Sequence, residues 1–185
     1  GGPAGLEAAH NLSELGAKAV LVESRNHIGG APIYEHYAAL THGFRSAEEV
    51  MNEMIAKVQD NPYVDIRLSS RVVASQGHAG DFGVTIVKEG NGAGETIQVG
   101  SIVLATGFQH FDPGRETQMY GYYEHDDVLT LVDMERMLKE QKVLCADGRT
   151  PERVCFVQCV GSRDRQIGNE FCSKVCCGIA SKQAI

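Results

Sequence analysis

The sequence has no apolar run approaching the roughly 20 residues that span a bilayer, and it lacks the basic flank and long apolar stretch of a signal peptide. It also lacks an excess of positive charge, because 17 Lys and Arg residues stand against 24 Asp and Glu residues, for a net charge of −7. A non-specific nucleic-acid binder would carry a basic face. We therefore predict a cytoplasmic protein with no transmembrane segment of its own and no nucleic-acid partner.

Cysteine does not occur before Cys145, and the other five cysteines lie between Cys155 and Cys177. A secreted disulfide framework would spread its cysteines along the chain. Clustering without an export signal instead favours metal or redox chemistry in a reducing compartment.

The start of the chain lacks both a methionine and a strand in front of its Gly-rich turn. Residues 1–5 (GGPAG) have the composition of a turn that follows a strand, and residues 177–185 are typical of a helix that has only begun. We therefore expect an internal piece of a longer protein. On this view the first strand of one domain precedes Gly1, and a second domain continues past Ile185.

Hydrophobic periodicity predicts alternating helices and strands. The predicted helices cover residues 5–15, the segment after a capping box of Ser46 and Glu49, and the segment after Thr130. The predicted strands cover residues 19–22, 65–73, 82–88, 96–104 and 154–160. The first strand is short and apolar, which suits burial on both faces of a parallel sheet. Residues 89–94 are typical of a hairpin turn, so the middle strands are interpreted as an antiparallel meander inserted into the main fold.

The opening turn has the glycine spacing of a dinucleotide-binding loop. Gly2 would let the backbone approach a pyrophosphate, and Gly5 would let the following helix pack close to a strand. The helix N-terminus would offer free N–H groups and a positive dipole end to the phosphates. Glu23 follows Gly5 by 18 residues, at the end of the strand where an acid accepts hydrogen bonds from a ribose hydroxyl. These features predict a dinucleotide without a 2′-phosphate, which the acid would repel.

Two further motifs distinguish FAD from NAD. Residues 102–107 (IVLATG) are an apolar strand ending in Ala-Thr-Gly, and residues 28–30 (IGG) follow the acid. In this order the motifs resemble the two-dinucleotide-domain flavoproteins of the pyridine nucleotide–disulfide oxidoreductase type, whose first Rossmann unit binds FAD. In that family a valine of the middle strand contacts adenine through its backbone, and the Ala-Thr-Gly strand returns beneath the cofactor. The resemblance implies these FAD-contacting residues: Gly1, Gly2, Pro3, Ala4, Gly5, Glu23, Ser24, Arg25, Gly29, Gly30, Val72, Val73, Ala105, Thr106 and Gly107.

Four cysteines form a C-x12-C-x3-C-C pattern, namely Cys159, Cys172, Cys176 and Cys177. Thiolates are soft ligands for iron–sulfur clusters or zinc. The first ends the strand at residues 154–160 and the adjacent pair opens a helix, whose N-terminus favours an anionic cluster. Adjacent cysteines strain against sharing one tetrahedral zinc, which favours iron–sulfur. The alternative is a set of buried core cysteines, and Cys155 fits that alternative as an inward residue of the strand.

The cysteine segment carries a closer resemblance. Residues 156–164 (FVQCVGSRD), 172–177 (CSKVCC) and 180–185 (ASKQAI) are similar to the flavoprotein (A-type) family of heterodisulfide reductase, and equally to its relative in the quinone-interacting membrane-bound oxidoreductase of sulfate reducers. The resemblance implies a flavin that exchanges electrons with a [4Fe–4S] cluster on the four cysteines. It also implies partner subunits of a redox complex, iron–sulfur or quinone-interacting, which would bring the protein to the inner face of a membrane.

The sequence departs from the archaeal members of that family. The cysteine-bearing segment and the ferredoxin-like insert expected there, between the second strand and the Ala-Thr-Gly strand, are absent. Residues 34–44 and the helix after Ser46 stand in their place. This difference favours a shorter, bacterial branch.

The sequence therefore predicts an α/β fold. A Rossmann-like FAD-binding domain with an inserted antiparallel β-meander covers residues 1–145, and a second Rossmann-like domain begins over residues 146–185, with Cys145 in the linker. The predicted function is that of an FAD-dependent oxidoreductase, an electron-transfer subunit in which the flavin carries the chemistry. Two alternatives are a stand-alone NAD(P)H-dependent flavin oxidoreductase with structural cysteines and a zinc-stabilised assembly module.

Overall fold

The computed structural model describes residues 1–40, 43–90, 92–114 and 120–185. The chain divides into two compact units, and each unit combines two separate stretches of sequence. The first unit contains residues 1–34 and 49–107, and the second contains residues 35–48 and 108–185. The predicted boundary between residues 145 and 146 falls inside the second unit, and the assignment of an FAD-binding domain and a second dinucleotide-fold domain stays a prediction.

The first helix, α1 (Pro3–Glu14), begins directly after the Gly-rich turn. Proline suits this position because its missing N–H would have no partner inside the helix. Leu6 and Ala9 are buried on one face of α1. The helix ends before Gly16, whose φ of 76° is in the left-handed region that glycine adopts readily. The helix predicted over residues 5–15 is confirmed, with its start two residues earlier.

A two-stranded parallel sheet lies beside α1 and consists of β1 (Ala19–Val22) and β2 (Val64–Arg67). β1 occupies its predicted position, but its burial differs from the prediction. Leu21 belongs to the core, whereas Val20 on the opposite face is 38% exposed. The strand is therefore covered on one face, because no described residues cover the Val20 side to the same extent.

Two further helices of the chain are α2 (Ala31–Tyr34), which the sequence did not predict, and α3 (Ala47–Gln59). α3 confirms the helix predicted after Ser46. Met51 and Val58 from its apolar stripe are fully buried, and each contributes about 1.5–3 kcal/mol to folding. The core of the first unit consists of Leu6, Ala9, Leu21, Met51, Val58 and Val64.

The predicted meander is confirmed as an antiparallel sheet in the order β3 (Ser70–His78), β4 (Asp81–Lys88) and β5 (Gly94–Val99). The single strand predicted over residues 65–73 is wrong, because that segment divides into β2 and β3. Ser69 has a left-handed φ of 49° and turns the chain from the parallel pair into the meander. The hairpin predicted at residues 89–94 joins β4 to β5, and Asn91 within it lies outside the described residues.

Two segments predicted as strands are not strands. Residues 102–107 follow the end of β5 without regular structure, and residues 154–160 likewise have none. Within the described ranges neither segment has a neighbouring strand that completes its backbone hydrogen bonds, as a sheet requires. Their apolar composition is therefore not matched by burial, and Leu104 is 84% exposed.

The second unit contains α4 (Leu131–Lys139) and α5 (Cys176–Gln183) between long loops. Thr130 caps α4 as predicted: its hydroxyl accepts the N–H of Asp133, and the Asp133 carboxylate accepts the N–H of Thr130. α5 begins at Cys176, the predicted start. No helix in the described part of the chain has the length and apolar character needed to cross a membrane.

Candidate functional site

The opening turn places two backbone donors at the start of α1. Gly2 caps the helix in an extended conformation, and its carbonyl accepts the N–H of Leu6 at 2.9 Å. Pro3 has no N–H, so the free donors of the first turn are the N–H groups of Ala4 and Gly5, which have no partner among the described residues. With the positive end of the helix dipole, these donors suit an anionic group.

The loop at Gly29 and Gly30 packs against this turn, backbone to backbone. The Gly29 N–H donates to the carbonyl of Gly1 at 2.8 Å. A Cβ on Gly30 would lie 2.5 Å from the Cα of Gly2, at a left-handed φ of 63°, so glycine is required there. A Cβ on Gly2, in contrast, would meet Gly30 at 3.5 Å, an ordinary contact. No described protein atom requires glycine at Gly2, which fits its predicted role of leaving room for a pyrophosphate.

Gly5 packs closely against β1. A Cβ on Gly5 would lie 3.3 Å from the Cδ1 atom of Leu21 and 3.5 Å from the Cβ of Ala105. The first contact is the close helix–strand packing expected of this glycine. The second places the Ala-Thr-Gly segment beside α1, with Thr106 and Gly107 exposed after it.

The Glu23 carboxylate lies next to the Gly-rich turn. Its Oε2 is 2.9 Å from the amino nitrogen of Gly1, and its Oε1 accepts the N–H of Arg25 at 2.8 Å and the hydroxyl of Ser24 at 3.2 Å. Burial raises the pKa of Glu23, but the hydrogen bonds from Arg25 and the Gly1 amino group outweigh it and hold the pKa below its ordinary value. The carboxylate is therefore ionised at neutral pH and has the lone pairs to accept hydroxyl donors.

The segment after Glu23 is anchored to the start of the meander. Ser69 donates its N–H to the carbonyl of Arg25 at 2.8 Å, and Ser70 donates to the carbonyl of Glu23 at 2.9 Å. The Arg25 guanidinium lies 3.7 Å from the centre of the Tyr34 ring, a cation–π contact. Sequence reasoning assigned no role to Tyr34, because an Arg–Tyr pair nine residues apart in a loop belongs to no periodic pattern.

The two valines predicted near adenine lie on β3. Val72 and Val73 are 50% and 59% exposed, and the pairing of β3 with β4 shifts between Val72 and Ala74. This irregularity is a β-bulge at Val73. The valines follow Ser70, which contacts Glu23, by two and three residues. They are therefore accessible on the strand that starts next to the acid.

These residues of the first unit fit the ADP half of a dinucleotide. The turn supplies free N–H donors and a side-chain-free surface, and the acid is ionised and close to the turn. The arrangement offers phosphate recognition at Ala4 and Gly5 and ribose recognition at Glu23.

All six cysteines belong to the second unit and are free thiols. Three of the four predicted ligands have a hydrogen-bond donor at their sulfur atom. The contacts are Arg163 Nη1 to Cys159 Sγ at 4.0 Å, Ser173 Oγ to Cys176 Sγ at 3.9 Å, and the Lys174 N–H to Cys172 Sγ at 3.3 Å. These donors favour negative charge on the sulfur atoms.

The four thiols lie close enough to influence one another. Burial raises the pKa of the Cys176 thiol, but hydrogen bonds from Ser173 and the Cys159 backbone outweigh it and lower the pKa. The charge on Cys176 in turn raises the pKa of Cys177, with smaller contributions from Cys159 and Cys172. Among the described residues, no three His, Cys, Asp or Glu side chains form a group that could hold a metal ion. The donor chemistry thus fits an iron–sulfur cluster, while the sulfur atoms do not converge as they would around one.

The prediction that Cys155 faces inward from a strand is wrong. Cys155 is exposed, because residues 154–160 are not paired into a sheet that would bury alternate side chains. Cys159 does not end a strand either, and its backbone is left-handed with a φ of 63°. Cys145 lies in a turn, where its N–H donates to the carbonyl of Arg149 at 2.8 Å, in keeping with its predicted position outside the regular elements.

Sequence reasoning missed a buried ion pair in the second unit. Glu135 of α4 and Lys182 of α5 are in direct contact, with side chains 2% and 7% exposed. Glu135 also accepts the N–H of Ala38 at 3.0 Å, and Lys182 donates to the carbonyl of Ala39 at 2.7 Å. The pair therefore joins both helices to the segment at residues 35–48. Charged residues of amphipathic helices are expected on the solvent face, so the sequence carried no signal for it.

A model of the family described as pyridine nucleotide-disulphide oxidoreductase matches residues 1–163. The A-type component of the H(2):CoB-CoM heterodisulfide,ferredoxin reductase of Methanothermobacter marburgensis is 46% identical over 94 residues, which cover 48% of this chain and 14% of the relative. The A-type iron-sulfur component of the CoB--CoM heterodisulfide reductase of Methanocaldococcus jannaschii is 39% identical over 94 residues, with the same coverage.

A longer match joins the whole chain to the A-type component of the Ferredoxin/F(420)H(2)-dependent CoB-CoM heterodisulfide reductase of Methanosarcina acetivorans, at 26% identity over 265 residues and 33% of that relative. The chain thus spans 14% to 33% of the length of these three relatives. The family match confirms the predicted α/β fold class, and the relatives confirm the predicted resemblance.

Proposed function

The chain belongs to the pyridine nucleotide-disulphide oxidoreductase family, and on that basis we propose that it is the flavoprotein electron-transfer part of a heterodisulfide-reductase-like or quinone-interacting redox complex. In this function electrons pass between FAD and a [4Fe–4S] cluster. The observation that carries the proposal is the opening turn. There Gly2 is not required by any described protein contact and lies beside the free N–H groups of Ala4 and Gly5.

The first unit would hold FAD by its ADP half. The N–H groups of Ala4 and Gly5 would bind the pyrophosphate, and Glu23 would accept the hydroxyls of the adjacent ribose. Bound FAD supplies the exchange between two-electron and one-electron transfer, and the chain orients it and tunes its environment. The other residues proposed to contact it are Gly1, Gly2, Pro3, Ser24, Arg25, Gly29, Gly30, Val72, Val73, Ala105, Thr106 and Gly107.

The second unit would hold the cluster. The proposed ligands are Cys159, Cys172, Cys176 and Cys177. Support comes from their interacting thiols, from the donors at three of the sulfur atoms, and from a relative whose name includes the term "iron-sulfur". Four cysteine thiolates are the usual ligand set of a [4Fe–4S] cluster.

The difference in length between this chain and an archaeal relative supports assignment to a shorter branch. The match to the Methanosarcina acetivorans protein runs over 265 positions, whereas this chain has 185 residues. About 80 positions of the alignment therefore have no counterpart here. This agrees with the absence of the insert expected in archaeal members, and it favours electron partners other than those of a methanogen.

The relatives are named as subunits, which supports partner subunits for this protein. The proposed partners are iron–sulfur proteins and quinone-interacting proteins of the membrane. A cytoplasmic location, with contact to the inner face of the membrane through those partners, stays a prediction.

The decisive experiment is cofactor analysis of the full-length protein purified without oxygen. We expect one FAD and about four irons per chain with matching acid-labile sulfide. FAD without iron, together with NAD(P)H oxidation, would instead support a stand-alone flavin reductase with structural cysteines. Zinc without flavin would support an assembly module and would contradict the proposal.

A further inference from the structure

The segment that carries the four proposed ligands, here termed the cysteine loop (residues 159–177), is held in place by a buried serine. Ser162 donates its hydroxyl to the carbonyl of Phe171 at 3.1 Å and accepts the N–H of Ser173 at 3.1 Å. The N–H of Arg163 donates to the same Phe171 carbonyl at 3.2 Å. The backbone on both sides of the second ligand is therefore fixed from within the loop.

Three residues of the cysteine loop other than glycine have a left-handed backbone. Cys159, Arg163 and Lys174 have φ values of 63°, 57° and 60°. Such a conformation costs a residue with a side chain roughly 1–2 kcal/mol, and it persists where the surroundings determine it. From this conformation Lys174 donates its N–H to Cys172 Sγ at 3.3 Å. The donors at the sulfur atoms thus belong to a defined backbone.

Hydrogen bonds to ligand sulfur change a cluster's reduction potential. Reduction adds negative charge, part of which resides on the sulfur ligands, so a donor at sulfur favours the reduced state and raises the potential. Cys176 receives two such donors, the Ser173 hydroxyl and the Cys159 backbone N–H. Of these, only the Ser173 hydroxyl is a side-chain group that substitution can remove while every backbone donor is kept.

We propose that Ser173, by donating its hydroxyl to Cys176 Sγ, sets the reduction potential of the cluster, an inference that rests on the proposed function. Ser173 is exposed, and its contact with Ser162 uses its backbone N–H. Loss of the hydroxyl therefore leaves the loop's internal hydrogen bonds in place. Ser173 is a tuning residue that acts through a ligand and does not bind iron.

The test compares Ser173→Ala, Ser173→Thr and the control Ser181→Ala, which removes an exposed hydroxyl from α5. Each variant of the full-length protein is purified without oxygen, analysed for iron and sulfide, and titrated electrochemically with detection of the reduced cluster by electron paramagnetic resonance. At a fixed ambient potential, we expect Ser173→Ala to lower the ratio of reduced to oxidised cluster threefold to tenfold. The upper limit corresponds to about 59 mV for one electron. Ser173→Thr and Ser181→Ala should match the wild type.

The outcomes separate this inference from the function on which it rests. An iron-loaded Ser173→Ala protein with an unchanged potential would overturn the inference and leave the cluster assignment intact. Loss of iron in Ser173→Ala would also overturn it, because the hydroxyl would then hold the cluster and not tune it. A wild-type protein without iron and sulfide would refute the cluster and the inference together.

Discussion

Replacing Lys182 by methionine would leave a buried carboxylate without its cation. In the wild type, Glu135 contacts Lys182 and also accepts the side-chain N–H of Gln183 at 2.8 Å, at 2% exposure of its own side chain. Removing one partner of a buried ion pair costs about 3–5 kcal/mol, because the remaining charge stays desolvated and uncompensated. We expect Lys182→Met to lower the free energy of unfolding of the second unit by this amount, a large part of the roughly 5–15 kcal/mol typical of a domain.

The assay is urea denaturation followed by far-ultraviolet circular dichroism, since the chain contains no tryptophan for fluorescence. The matched control is Lys139→Met. Lys139 also belongs to the second unit and pairs with Glu48 at 3.1 Å, but both side chains are partly exposed. Exposed pairs contribute about 0–1 kcal/mol, so this variant should be nearly as stable as the wild type.

A double variant isolates the charge effect. Glu135→Leu combined with Lys182→Met removes both charges, so it should recover most of the stability lost in Lys182→Met. A residual loss should remain, because the N–H of Ala38 loses its acceptor. If Lys182→Met is no more destabilising than Lys139→Met, or if the double variant is less stable than both single variants, the argument from an uncompensated buried charge is wrong.

Gly2→Val should abolish FAD retention in the full-length protein, because its side chain would occupy the space proposed for the pyrophosphate; normal flavin content would refute that assignment. Cys159→Ser should remove about four irons per chain and Cys155→Ser none, measured by iron analysis, and equal iron content in the two would exclude Cys159 as a ligand. Burial lowers the pKa of His110 below its ordinary value of 6.5. The unfolded chain therefore takes up the proton first as the pH falls. The stability contributed by neutral His110 should be complete above pH 6.5 and decline below it, and an NMR titration midpoint at or above 6.5 would contradict this.

Local signals predicted the elements that local interactions stabilise. Thr130 and Asp133 cap α4 through side chains only three residues apart, and this pattern is visible in the sequence. β1 is a short apolar run that begins three residues after the glycine ending α1. The opening turn was likewise predictable, because its glycines and the acid at Glu23 have a fixed spacing.

Features that depend on distant partners were not predictable. Residues 102–107 and 154–160 are apolar enough for strands, but a strand also needs a neighbour for its backbone hydrogen bonds, and composition does not specify one. Ser69 carries no obvious turn signal, although its left-handed backbone divides a predicted strand. The pairing of Glu135 with Lys182 joins residues 47 positions apart, and no periodic pattern connects them.

The interleaved composition of the two units has a consequence for synthesis on the ribosome. The second unit begins with residues 35–48 and resumes only at residue 108, so its first segment emerges long before its partners. Ala39 accepts a hydrogen bond from Lys182, 143 residues later. At roughly 5–20 residues per second, that interval is about 7–30 s. During this time the first unit can close around residues 1–34 and 49–107, and the early segment of the second unit stays exposed to chaperones and proteases.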